Sequence, residues 1–265
     1  MFKDILKKGY IVFFSQKRNL KSLSSLVFVN IAVAGVGFFT QVEIANVLGK
    51  ESFGFIAYGV AIAAFCAVVI RFALDRTMVR DLIHYPDRFA ATVKASLILR
   101  FALFTVVTAL ILGWKLFQPQ NSDVTWGVVL IIIANAAMSL DLKGVYDSWH
   151  KMGRHAFYNL LQRGLFFTVI WIVIVYAPES LSVFTIGAAT FVAVSFYLTV
   201  QYLWAMKRLP QDGTNESLVL RAFNMARGNV FVWLAALAAL SFGPLNQLVL
   251  KNYHGAAELG GYAAA

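Results

Sequence analysis

The sequence predicts an all-α polytopic membrane protein. Three observations carry that reading: seven long apolar stretches, Lys and Arg gathered on every second connection, and aromatic residues crowding the ends of the stretches. Each stretch has about the 20 residues that a helix rising about 1.5 Å per residue needs to cross a hydrocarbon core of about 30 Å. Hydrophobic residues make up 60% of the chain and charged ones 14%. A water-soluble chain of that make-up would carry more apolar surface than it could hide, whereas lipid accepts it.

Taken in order, the stretches cover residues 24–48, 53–74, 95–114, 124–142, 157–177, 181–206 and 230–250. Before the first lies a basic segment in which Phe2, Ile5, Leu6 and the apolar run 12–14 interleave with lysines. That pattern predicts a short amphipathic helix on the inner leaflet. It is not a cleavable signal, because the apolar stretch after it is of full spanning length. Of the 23 Lys and Arg, 17 fall on one side, in residues 1–23, 76–94, 143–154 and 207–227. Lys50, Lys115 and Lys251 fall on the other side, and Arg71, Arg100 and Arg163 lie inside stretches. The positive-inside rule therefore makes the amino terminus cytoplasmic and sends the seventh span outward. A net charge of +10 needs no nucleic acid to explain it. Trp114, Trp126, Trp149, Tyr176 and Trp204 suit an interfacial belt. The one cysteine, Cys66, excludes an internal disulfide and most thiolate metal sites.

The first and seventh stretches look like copies. Sliding the chain by 206 residues sets Gly37, Gln41, Asn46, Gly49 and Gly54 on Gly243, Gln247, Asn252, Gly255 and Gly260. Six spans separate the copies, so both run from inside to outside, and the symmetry axis lies along the membrane normal. Two six-helix halves are expected. The chain then divides into a basic cytoplasmic segment 1–23, a six-helix lobe 24–209, a cytoplasmic inter-lobe linker 210–229, and the seventh span with the start of the eighth at 230–265. It reads as truncated, or as one half of something longer.

The repeat residues also carry a resemblance. Ala45-Asn46-Val47-Leu48-Gly49-Lys50-Glu51-Ser52-Phe53-Gly54, followed after an apolar span by Asp75-Arg76-Thr77-Met78-Val79-Arg80-Asp81-Leu82, resembles the opening of the polysaccharide-biosynthesis flippases. These are the Wzx-type O-antigen and repeat-unit transporters, in the superfamily shared with multidrug-extruding and lipid II flippases. Tyr146-Asp147-Ser148-Trp149-His150-Lys151-Met152 is similar to the family's aromatic-rich segment after the fourth span. Leu245-Asn246-Gln247 through Gly260-Gly261-Tyr262 is similar to its turn from the seventh span to the eighth. The chain departs from the family pattern at Ala45-Asn46, where members often carry an Arg, and at Arg71-Phe72-Ala73-Leu74. The resemblance implies a two-lobed exporter fold around a central cavity. It also implies a flippase in a bacterial inner membrane that turns a polyprenyl-pyrophosphate-linked oligosaccharide outward by ion-coupled alternating access, with polysaccharide polymerase machinery as a further partner. The alternatives are a multidrug or other lipid exporter, or a non-transporting scaffold or glycosyltransferase component.

Charges inside a membrane cost about 2.5 to 3.5 kcal/mol each on insertion scales, so those that remain usually face a cavity or a partner. Arg71, Arg100 and Arg163 sit three, five and six residues from the cytoplasmic ends of their stretches, and Asp141 and Lys143 end the fourth span on the same side. A cationic inner mouth suits a pyrophosphate, because guanidinium offers bidentate hydrogen bonds to phosphate oxygens. Arg71, Arg100, Arg163 and Lys143 are thus the candidates for binding it. The competing reading is that each arginine snorkels to the headgroups or pairs with Asp141. Glu43, between Gln41 and Asn46, meets Val249 in the repeat, so internal symmetry does not require a carboxylate there. Glu43 and Asp141 are the candidates for coupling to an ion; for Glu43 the alternative is a pair with Lys50. Gly243 and Pro244 are expected to break the seventh span and to serve as a hinge or a static bend.

Enzymatic chemistry finds little support. There is no Gly-x-x-x-x-Gly-Lys-Ser/Thr phosphate loop, so no ATP hydrolysis is expected. His150 and His155 lie five apart, off the spacing of a helical metal pair, and read as interfacial residues. No cofactor or metal is expected.

Overall fold

The computed structural model describes residues 2–117, 123–210 and 217–264, with most side chains from Val27 onward. Every regular element among the described residues is helical. They are α1 (Phe2–Arg71), α2 (Leu74–His84), α3 (Phe89–Leu116), α4 (Asp123–Ala137), α5 (Lys143–Ser148), α6 (Met152–Tyr176), α7 (Val183–Met206), α8 (Leu218–Ala239), α9 (Pro244–His254) and α10 (Ala256–Ala264). Five helices are long and apolar enough to cross a membrane, and a sixth crossing is α8 with α9, bent by 42° between them. α1 covers two predicted stretches, one in each arm on either side of Gly49. The protein is an all-α polytopic membrane protein.

Two departures from expectation concern the ends of elements. The helix runs unbroken from Phe2 up to Gly49, so the helix of the basic segment is continuous with that of the first span. α8 begins at Leu218, well inside the expected linker 210–229. Polar residues such as Arg221, Asn224 and Asn229 lower the hydropathy of its first turns without breaking the helix, so a hydropathy window starts it too late.

α4 is the central helix of the lobe, with 72% of the apolar window in its span buried, against 11% for α6. Ile131 and Ile132 of α4 pack with Ile44 and Phe53 of α1, Ile170 of α6 and Ile186 of α7. Lipid tails are as apolar as these side chains, so the packing gains come from close contact and not from escape from water. The outer faces stay apolar, as Phe38, Leu110, Ile172 and Phe231 illustrate.

The break between α4 and α5 is the most ordered irregularity of the lobe. A 3₁₀ turn, Met138–Leu140, leads into an extended Asp141, which frees backbone groups that lipid could not satisfy. Arg100 donates to the carbonyls of Ser139 (3.2 Å) and Asp141 (3.1 Å), and the Tyr202 hydroxyl donates to that of Leu140 (2.8 Å). Gln201 Oε1 accepts from the Leu142 N–H at 3.1 Å, and the Asp141 carboxylate accepts from the Lys143 N–H at 3.4 Å. Nearby, Trp204 stacks on Tyr146 and carries the cations of Lys151, Arg154 and Arg208 on its ring, within 5.0, 4.3 and 4.3 Å of its centroid. This end of the lobe, with α2 and α5, is its basic face.

The repeat is visible in the backbone. Gly49 (φ 75, ψ 172) and Gly255 (φ 89, ψ 176) share one conformation that only glycine adopts readily. One turn on, a side chain at Gly54 would strike the Ala256 carbonyl, and one at Gly260 would strike the Lys50 carbonyl. Gly260 is Gly54 moved on by 206 and Lys50 is Ala256 moved back by 206, so the two corners contact each other reciprocally, as across a two-fold axis.

Candidate functional site

A cavity of about 250 Å³ opens where the first arm of α1 faces α4, α6, α7 and α9. Gly37, Thr40, Gln41 and Ile44 line it from α1 at the i, i+3, i+4, i+7 spacing of one helical face. Asn135 comes from α4, Gln162 and Arg163 from α6, Thr190 from α7 and Gln247 from α9. Gln41 and Gln247 are repeat partners, so the cavity lies at the meeting of the two copies. Arg163 is the one charge among the described residues that line it, and no carboxylate is among them. Gln162 is buried, and its side-chain carbonyl has no hydrogen-bond partner. The Asn135 amide donates to the Ile131 carbonyl at 2.8 Å, and Thr40 and Thr190 donate to the carbonyls one turn back. Such a wall can hold an anion at one point and hydroxyl-rich matter around it.

The sequence-predicted residues part company here. Arg163 is in the cavity, and deeper than expected: α6 starts at Met152, so Arg163 lies about 16 Å along the helix from its basic end. Arg100 is not in the cavity. It is 1% exposed, and its guanidinium bonds Asp75 at 2.5 Å besides the two carbonyls of the α4–α5 break. Arg71 lies at the basic face with its side chain 42% exposed and Nη2 4.0 Å from the Asp141 carboxylate. Lys143 is exposed on the same face. Asp141 is buried, with His155 Nε2 at 3.7 Å and Arg71 on its other flank. Glu43 is half-buried and falls off the stripe of α1 that lines the cavity. Gly243 does separate α8 from α9, through a 3₁₀ turn at Leu240–Phe242 and with Pro244 as the first residue of α9.

Some functional groups escaped the sequence reading. His155 is not interfacial: it is 8% exposed, between Asp141 and the Tyr197 hydroxyl, which is 3.0 Å away. Gln162 and Thr190 lie seven residues from His155 and Tyr197 on the same helices, so a polar track runs from the cavity toward the basic face. Neutral amides inside apolar stretches were the signal, hidden by attention to formal charge.

A model of the family described as polysaccharide biosynthesis protein matches residues 19–265, both copies of the repeat included. The chain belongs to this family. No curated protein and no solved structure matches it. The chain is thus a polysaccharide biosynthesis protein with several membrane-length helices and a cavity in which one arginine and a few amides and hydroxyls stand among apolar side chains.

Proposed function

We propose that the protein is a flippase, not an enzyme, that carries a polyprenyl-pyrophosphate-linked oligosaccharide from the cytoplasmic to the outer leaflet of a bacterial inner membrane. The observation that carries this is the cavity between the repeat copies, whose described lining sets Arg163, its one charge, and several amides and hydroxyls among apolar side chains such as Phe53 and Phe166. Arg163 would take the phosphoryl oxygens in bidentate fashion, and Gln41, Gln247, Asn135 and Gln162 would exchange hydrogen bonds with sugar hydroxyls. An exporter of cationic drugs would call for carboxylates on that wall, and none of the described lining residues is one. With the amino terminus in the cytoplasm, the basic face is the loading side. Arg71 and Lys143 would meet the headgroup there before it reaches Arg163. The buried Asp141 and the half-buried Glu43 are the candidates for coupling, and the break at Gly243 and Pro244 is the candidate hinge of alternating access. A polymerase would receive the unit on the outer side.

The test is flipping of a fluorescent polyprenyl-pyrophosphate glycan in proteoliposomes. Arg163→Gln should reduce it at least about tenfold while insertion and thermal stability hold, because a charge-assisted bond to the phosphate is lost. Undiminished flipping by that variant would remove Arg163 from the path.

A further inference from the structure

The first lobe meets α8 along a line of side-chain clasps at the basic face. Thr77 Oγ1 donates to Asn229 Oδ1 at 2.5 Å, Arg221 Nη2 donates to Thr92 Oγ1 at 2.7 Å, and Trp233 stacks on Phe72 while its N–H reaches the Val68 carbonyl. Phe72 and Ala73, which join α1 to α2, are held at φ 45 and φ 54, a left-handed conformation costly for residues other than glycine. Between α2 and α8 this line leaves a recess of about 260 Å³, separate from the central cavity. Its polar wall is Thr77, Arg80, Asp81 and Arg88 from the first lobe, with Arg221 and Asn224 from α8.

From this geometry we infer a second anion site, one that receives the phosphate or pyrophosphate group of a membrane lipid at the basic face. Three guanidinium groups against one carboxylate leave the recess cationic. Asp81 accepts from both Nε and Nη2 of Arg80, at 3.1 and 3.0 Å, and so fixes the plane of that guanidinium beside the opening. The amide of Asn224 adds a neutral donor of the kind that completes a phosphate shell. The recess lies at the basic face, and its arginines come from both sides of the junction between the lobe and α8. A phosphate held there bridges the two units, which makes the site a loading station whose occupancy acts on the clasps. That last step rests on the flippase reading; the binding itself does not.

Two lipids share this chemistry, the pyrophosphate carrier and an acidic phospholipid. Binding of inorganic pyrophosphate to the whole chain should be measured in nanodiscs of neutral lipid and again with phosphatidylglycerol added. Arg80→Gln with Arg221→Gln should weaken binding about tenfold or more, while Arg221→Lys, which keeps the charge and loses the fork, should fall between. Lys94→Gln removes a charge from the same face, outside the recess, and Arg163→Gln one from the cavity; both should leave this component of binding unchanged. Competition by phosphatidylglycerol would assign the site to the acidic headgroup, and its absence to the pyrophosphate carrier. Unaltered pyrophosphate affinity in the double variant, or an equal loss in Lys94→Gln, would overturn the site. Flipping tells the two readings apart: if the double variant binds normally while the protein flips glycan lipid, only the recess fails. If the recess binds and no lipid is ever flipped, only the transport reading fails.

Discussion

At the scale of single residues, three arginines that look alike in sequence have three different surroundings. Arg163 faces an open polar cavity, Arg71 shares Asp141 with His155, and Arg100 is buried with Asp75 and two freed carbonyls. Depth within an apolar stretch is legible in sequence; the direction of the side chain is not, because it depends on where the neighbouring helices break. Arg100 illustrates this. Its two carbonyl partners are free only because the fourth span ends in a 3₁₀ turn about 40 residues later in the chain. Replacing Arg100 with Ala should therefore cost about 3–5 kcal/mol, the usual loss when a buried pair forfeits one partner. Thermal unfolding in detergent would register this as a collapse of Tm, against little change for Arg163→Gln. At His155, a change to Phe leaves the Asp141 carboxylate with Arg71 and the Lys143 N–H, and takes a partner from the Tyr197 hydroxyl. If Asp141 couples transport to protons, His155→Phe should shift the pH profile of flipping while substrate binding stays the same. An unshifted profile would take this cluster out of the coupling.

Among the elements, the breaks carry more information than the spans. Apolar length and charge alternation place the helices, since each needs only its own residues to be recognised. Interruptions depend on partners far away in the chain, so only those with a strong local cause can be anticipated. Gly243 before Pro244 was such a case, and the break at Asp141 was not. The broken α8–α9 pair yields a prediction at this scale: Pro244→Ala should straighten the 42° bend, slow flipping and leave binding of pyrophosphate intact. Distances between spin labels on α8 and α9 would report the straightening. At the outer corner, Gly49→Ala and Gly255→Ala have open space for the new methyl but a backbone angle that disfavours it. Each should lose about 1–2 kcal/mol from strain alone, readable as paired drops in thermal stability.

For the molecule as a whole, five membrane-length helices and the bent α8–α9 pair make up the crossings among the described residues, and the first of those helices turns at Gly49. α10 and α9 pack extensively along α1, and α8 packs along α3. At the corner by Gly54 and Gly260 the backbones touch with no side chain between, and at the basic face the clasps of Thr77, Thr92 and Trp233 close the junction. Orientation belongs to this scale too. With Cys66 replaced by Ser, a cysteine at the exposed position 94 should react with a membrane-impermeant reagent only from the cytoplasmic side, and one at the exposed position 50 only from outside; the reverse pattern would invert the assignment.

The reciprocal contact at the glycine corner has a bearing on ancestry. Two stretches that meet as equals, each leaning on the position equivalent to the one leaning on it, have the geometry of a dimer of identical chains whose genes later fused. Glu43 and Val249 differ although they are equivalent in the repeat, yet the corner cannot change on one side alone. A bulkier residue on either copy pushes both helices apart, so this is a feature of the arrangement with little freedom to change.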